Sequence, residues 1–351
     1  MTRRALETQF STPGETPWKT LVLEAHPGAV TPHEYLADVF GEARVRSTDD
    51  AHLHELTLDD GVKLTVDDLD GRFWSFHSAS ATQSVLRAIR TVVSKRRDLD
   101  YLWLPTQHLR GIRPGSRASF VKADFTGVAA LPEEAIHDLS LSVRGHDAAQ
   151  LLEVFEHQNG HGHVFSIERL TVPIFDPDLG RIEQAVNRRA HFVARGDSFP
   201  LHQQVVADVV GRYRLFVEAV EERTIRFASL GEPGGGTIVG TPIEIQFSRP
   251  LSNLQVLFDE LLSSGEPFRL WGMYEVHDSF GECDAVDLHV GGCMRIEAQP
   301  EFMRVQLFDG SCGNSIARLV SNLQHHVDGA LRLVDPELDL LLNLEVSPAT
   351  V

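Results

Sequence analysis

Thr31-Pro-His-Glu-Tyr-Leu-Ala-Asp-Val-Phe-Gly41 is the stretch that decides the fold. Thr31 with Glu34 three residues on makes a capping box, and Pro32 stands at the first helical position, where its missing N–H removes no intrahelical bond. Tyr35, Leu36, Val39 and Phe40 form one apolar face, and Gly41 is the stop. The same grammar recurs twice. Asp147 with Gln150 opens a helix bearing Leu151, Leu152, Val154 and Phe155, and Ser252 with Gln255 opens one bearing Leu254, Leu257, Phe258, Leu261 and Leu262. The stops Gly41, Gly160 and Gly265 lie about 119 and 105 residues apart. Second helices begin their apolar stripes at Val85, Val205 and Ile316, about 120 and 111 residues apart.

Short β-prone runs fill the intervals. In the first, strands are expected at Ala43–Arg46, Leu53–Leu58, Val62–Val66 and Phe73–Phe76, with Asp59-Asp60-Gly61 and Asp70-Gly71 supplying hairpin turn chemistry between them. In the second, strands are expected at Val164–Leu170, Val172–Phe175, Ile182–Val186 and His191–Ala194. In the third they are expected at Phe268–Val276, Ala285–Val290, Cys293–Ala298 and Phe302–Phe308, with a further strand at Leu338–Val346. The expected fold class is α+β, as three tandem β-α-β-β-β-β-α units with antiparallel sheets and packed helices. Their bounds are 1–130, 131–235 and 236–351, with Gly231–Thr237 as the linker before the third. The competing reading is one irregular α+β domain whose elements alternate.

This order of elements is similar to one repeat of the TATA-box-binding-protein-like fold. Serial acidic α+β modules also resemble sliding DNA clamps, whose pore helices are basic, whereas here only the helix over 81–97 is basic. Both are likenesses of topology and imply no function.

The formal charge of −18 suits a chain that repels polyanions overall. Yet nine basic side chains face only Asp98 and Asp100 between Val85 and Lys122. No apolar run approaches the ~18 residues of a membrane helix, and the first residues lack the apolar core of a secretory signal. Three widely spaced cysteines, Cys283, Cys293 and Cys312, read as free thiols of a cytoplasmic protein.

These features point to a non-catalytic binding protein, an adaptor or subunit of a larger assembly, forming a homo- or hetero-oligomer through exposed sheet edges. The expected contact residues are Arg87, Arg90, Arg96, Arg97, Arg110, Arg113, Arg117 and Lys122, with Trp103 among them. The alternative is nucleic-acid binding through the same segment, 85–122, where aromatic rings between arginines stack on bases. A second alternative is an enzyme using Cys312 as nucleophile or a histidine-bound metal. Cys312 stands at the start of the last helix, with His325 and His326 roughly 20 Å along it, so His277 or His289 would have to fold back to serve as its base. His157, His161, His163 and Glu156 cluster at a helix end, and His52 and His54 share a strand face read as surface. No catalytic residue, metal ligand, cofactor or membrane partner is assigned from the sequence.

Overall fold

A computed structural model describes residues 2–11, 17–58, 61–112, 117–127, 138–157, 162–229 and 236–343. The chain runs α1 (Arg3–Ser11), β1 (Trp18–Ala25), α2 (Pro32–Phe40), β2 (Val45–Ser47), β3 (Leu53–Thr57), β4 (Lys63–Asp67), β5 (Phe73–Ser78), α3 (Thr82–Val93), β6 (Leu99–Tyr101), α4 (Thr106–Arg110) and β7 (Phe120–Thr126). It continues through β8 (Asp138–Arg144), α5 (Ala148–His157), β9 (Ile167–Asp176), β10 (Gly180–Asn187), β11 (His191–Gly196) and the long α6 (Phe199–Glu222). The last part is β12 (Arg226–Ser229), β13 (Gly236–Val239), β14 (Ile243–Gln246), α7 (Leu254–Leu261), β15 (Leu270–His277), β16 (Phe280–Asp287), β17 (Cys293–Ala298), β18 (Phe302–Leu307), α8 (Asn314–His326), β19 (Arg332–Leu333) and α9 (Pro336–Asn343). The class is α+β, with antiparallel sheets. Among the described residues no helix is long and apolar enough to cross a membrane.

The Thr31 capping box forms in full, with Glu34 N–H donating to Thr31 Oγ1 at 3.3 Å and Thr31 N–H donating to Glu34 Oε2 at 2.9 Å. The third helix is capped by Asn253, which accepts from Val256 N at 3.1 Å, and not by Ser252. Two strand expectations also change. Residues 164–175 hold one long strand, β9, so the second meander has three strands where four were expected. Residues 336–343 are helix α9, because Asp335 accepts from Glu337 N and Leu338 N, Pro336 fills the first helical position, and Leu338 and Leu342 are buried four residues apart. Gly160 and most of the Gly231–Thr237 linker lie outside the described residues.

One sheet has eleven strands in the order β2-β3-β4-β5-β1-β11-β10-β9-β7-β8, with β6 also on β1. The outer edge of β1 is divided, residues 18–21 pairing with β11 and 23–25 with β6. A second sheet runs β15-β16-β17-β18-β14-β19, and β12 with β13 forms a hairpin. The orders β2-β3-β4-β5-β1 and β15-β16-β17-β18-β14 are the same, each first strand returning to lie beside the last strand of its meander.

The eleven-stranded sheet has a core on each face. On one, Val22, Phe192, Ala194, Ile182 and Ile174 pack with α6, α8 and the third segment. On the other, α2 and α3 cover only the β1–β5 end, burying Leu21, Leu23, Trp74, Phe76, Val85 and Ile89. Helix α8 is enclosed on all sides, every residue from Asn314 to His325 being buried. Its start presses against α6, where a Cβ on Gly313 would lie 2.2 Å from the Val217 carbonyl oxygen.

Since α8 carries polar side chains, enclosure obliges each to find a partner. Arg318 donates to both Asp100 and Asp287 and to the Phe268 carbonyl at 2.9 Å. Arg269 stands 3.0 Å from Asp100, so two buried cations balance two buried carboxylates. Burial opposes ionisation of Asp100, but Arg318 and then other cationic neighbours hold its carboxyl below its ordinary value. Arg318→Ala leaves Asp287 buried without its cation and Asp100 with Arg269 alone, and is expected to cost about 3–5 kcal/mol. A denaturant midpoint shift worth under about 1 kcal/mol would show that the cluster does not secure α8.

A chain of neutral groups crosses the same interior. His202 Nδ1 lies 2.7 Å from Gln184 Oε1, its Nε2 2.7 Å from Thr20 Oγ1, and that hydroxyl 2.8 Å from His77 Nδ1. Burial pushes His77 and His191 down to about 4, and His108 and His202 down to about 3. The unfolded chain takes up these protons near the ordinary value of 6.5, the folded chain only at the lower values. Acid therefore favours unfolding: stability is full above about pH 6.5 and falls as the pH drops from there towards 4. Each such histidine contributes up to about 1.4 kcal/mol per pH unit in that window. Melting temperatures from pH 8 to 4 measure this, and a flat profile between 6.5 and 5 would sink it.

Candidate anion-binding face

The second face of the large sheet has no helix over its β7–β11 end among the described residues. Strand alternation decides what it shows. On β7 and β9 the register sets Lys122 opposite Arg169 and Phe120 opposite Thr171, and on β8 it sets Arg144 opposite Phe120. On β10 and β11 it sets Ala185 opposite Val193 and Glu183 opposite Arg195, with Lys19 of β1 beside Val193. The intervening residues, such as Val121, Leu170, Val172, Val186 and Phe192, point into the core.

The result is a floor of short side chains ringed by guanidinium groups. Arg144 and Arg169 stand 5.6 and 5.9 Å from the centre of the Phe120 ring. With Arg195, His146 and Glu183 they line a depression of about 370 Å³. Arg144, Arg169 and Arg195 are exposed and make no ion pair with the described residues. Partial burial, then Arg195 and Arg144 against the opposing pull of Glu183, lowers Arg169 from its ordinary value. The face therefore holds more positive charge than its own acids neutralise.

A second depression, about 580 Å³, opens where α3 meets the same sheet. Arg87 and Arg90 stand on its α3 wall, with Arg188, Arg189, His191 and His325 on the other sides. Arg189 lies over Tyr101 and Trp103, 5.3 and 5.1 Å from their ring centres, and pairs with Glu266 at 3.4 Å. Arg188 donates to Glu168 and to Asn322 Oδ1, each at 2.8 Å. His191 Nε2 and His325 Nδ1 are buried with no hydrogen-bond partner among the described residues. Burial, followed by Arg169 and Lys19, keeps His191 neutral at pH 7.

The structure brings Arg87, Arg90 and Lys122 to this region, although Lys122 also pairs with Asp124. It disperses the other expected contacts. Arg96 is held by Asp98 and Asp38, Arg110 by Glu156, and Arg117 by Asp147 at 3.4 Å. Arg97 is exposed, its carbonyl accepting from Val290 N. Arg113 lies outside the described residues. Trp103 cannot touch a partner: it is 0% exposed, enclosed beside Tyr101 beneath Arg188 and Arg189. Residues 158–161 of the histidine-rich stretch also lie outside the described residues. His54 is buried rather than on the surface, because His52 and His54 both bind Asp68, at 2.7 and 3.0 Å.

Sequence reasoning missed Arg144, Arg169 and Arg195. They are isolated in the chain, and the available signal was their shared phase within strands whose alternate residues are apolar. Cys312 is also buried, and burial and then the Glu24 carboxylate push its thiol well above the ordinary value, the reverse of acidification by a helix terminus.

The profile of MJECL33-like proteins matches residues 1–340. The chain belongs to that family. It is 23% identical over 357 residues to the uncharacterized protein MJECL33 of Methanocaldococcus jannaschii, a match covering 88% of this chain and 84% of that protein. No solved structure matches the chain.

Proposed function

We propose that the protein binds single-stranded nucleic acid along the open β7–β11 face, with phosphates held by Arg144, Arg169 and Arg195 and the strand leading towards Arg87 and Arg90. The observation that carries this reading is the set of three exposed, unpaired arginines around Phe120. Mutually repelling guanidinium groups gain most when a phosphate enters, and Phe120 supplies a ring on which a base can stack. A chain of net charge −18 binds a polyanion only where its positive groups are gathered and its acids face elsewhere. Three free cysteines suit a cytoplasmic setting for this role.

Fluorescence anisotropy with a labelled oligothymidylate tests it. Three phosphate contacts give a slope of log affinity on log salt of about −2, so tenfold more salt weakens binding about 100-fold. The triple variant R144E/R169E/R195E is expected to abolish binding while melting like the parent. Equal affinity of parent and variant would refute the assignment.

The adaptor reading keeps one observation of its own. β15 is an edge strand of the second sheet, with Trp271 57% and Met273 81% exposed on one side of it. Such an edge suits pairing with a strand of another protein or another copy of this chain. Light scattering after size exclusion is expected to show a concentration-dependent oligomer that Trp271→Glu and Met273→Glu together dissociate. A monomer at all concentrations would remove self-pairing.

A further inference from the structure

Four side chains from three distant parts of the chain meet behind the open face, at the far end of β1. Glu24 and His26 come from the end of β1, His289 from the turn joining β16 to β17, and Cys312 from the residue pair before α8. Their ligand atoms all lie within 4.8 Å of one another. Cys312 Sγ is 3.4 Å from both Glu24 oxygens and 3.9 Å from His26 Nε2. His289 Nε2 is 2.9 Å from Glu24 Oε2, and His26 Nε2 is 3.6 Å from Glu24 Oε1. Around one tetrahedral zinc, bond lengths near 2.0–2.3 Å place neighbouring donors about 3.3–3.6 Å apart. Cys312 Sγ at 3.4 Å from Glu24 Oε2 already has that spacing, His289 at 2.9 Å from the same oxygen is closer, and the remaining pairs lie within 4.8 Å, so small side-chain adjustments admit the ion.

From this geometry we infer a zinc site that fastens the third segment of the chain to the first, with Glu24, His26, His289 and Cys312 as its ligands. The donor set is one thiolate, two imidazoles and one carboxylate, which matches the preferences of zinc and excludes magnesium and calcium. Glu24, His289 and Cys312 are buried, while His26 reaches solvent and gives the ion its way in. Thiolate and carboxylate together carry the two negative charges a divalent cation requires. Arg72 touches the cluster directly: its Nε donates to Glu24 Oε1 at 2.6 Å, and its Nη2 donates to Glu221 Oε1 at 2.6 Å and to Cys312 Sγ at 3.3 Å. Glu24 can bind the metal through Oε2 while Oε1 keeps this bond. On binding, Cys312 releases its thiol proton to solvent and His289 carries its ring proton on Nδ1, leaving the Nε2 lone pair for the metal. The inference is independent of the nucleic-acid reading, because none of the four ligands lies on the open face.

The test uses the full-length protein, expressed in zinc-supplemented medium and purified without chelator. Elemental analysis is expected to find about one zinc per chain. Replacement by cobalt(II) is expected to give the intense visible bands of a tetrahedral site with a thiolate-to-cobalt charge-transfer band. Cys312→Ser should remove that band, His289→Ala should weaken affinity at least about tenfold, and chelation should lower the melting temperature of the parent. His161→Ala/His163→Ala should leave the band unchanged, which separates this site from the histidine-rich stretch. Absence of stoichiometric metal from folded parent protein would overturn the proposal. So would a cobalt spectrum that lacks the thiolate band or keeps it in Cys312→Ser.

Discussion

The pairing of Arg318 with Asp100 and Asp287 is the interaction on which the rest depends. A helix with an apolar stripe and a polar back ordinarily turns the back to water. Here the back of α8 is sealed against the first segment, and its polar groups are matched in turn apart from His325 Nδ1. Asn314 donates to the Tyr101 carbonyl at 3.2 Å, Gln324 Oε1 accepts from Thr106 N at 2.9 Å, and Asn322 Oδ1 accepts from Arg188. Such matching holds only in one register, since a shift of one residue would leave charges buried and alone. It therefore locates the third segment against the large sheet more sharply than apolar contact does. The hydrophobic core supplies the cohesion, and the polar matching supplies the uniqueness.

That placement has an electrostatic result. α6, α8 and the third segment all lie on one face of the large sheet, and α2 with α3 occupies one end of the other. Among the described residues the uncovered remainder carries three arginines that form no ion pair and share only Glu183 between them, in a protein that is strongly acidic elsewhere. Screening limits the influence of distant acids at physiological salt to about 8 Å, so the local surplus, rather than the net charge, governs what approaches the face.

Much of the architecture was legible in the chain because caps and stops are local. Thr31, Glu34 and Pro32 specify a helix start without reference to anything distant, and the recurring helices bracket sheets whose strand order is the same in the first and third segments. The errors were of two kinds. Leu338–Val346 read as a strand because apolar residues dominate it, and the cap of Asp335 with the i, i+4 spacing of Leu338 and Leu342 was the stronger signal. The candidate site was harder to see, since a charge run in sequence is not a charge cluster in space. Arg96, Arg110 and Arg117 of that stretch are spent on separate acids, while the arginines that do gather come one each from three strands. Cys312 shows the same limit. Its need for a histidine folding back was visible, but that β1 would supply Glu24 and His26 beside it depends on a pairing no local pattern encodes.

The second segment explains why the large sheet exists. In the first and third segments the strand preceding the first helix lies beside the last strand of the meander and covers its edge. In the second, β8 pairs with β7 at the far end of the sheet, leaving the corresponding edge of β11 without its own strand. An uncovered edge exposes a row of backbone donors and acceptors and seeks a partner. β1 fills it, through Trp18 to Leu21, and so belongs to two sets of strands at once. One end of β1 then borders the open face at Lys19, and the other carries Glu24 and His26 to Cys312. A single displaced strand thus accounts for the fused sheet, the uncovered basic surface and the meeting of the four zinc-binding side chains. It also accounts for the unequal roles of segments built on similar helix signals: the one that departs from the common order is the one that bears the arginines.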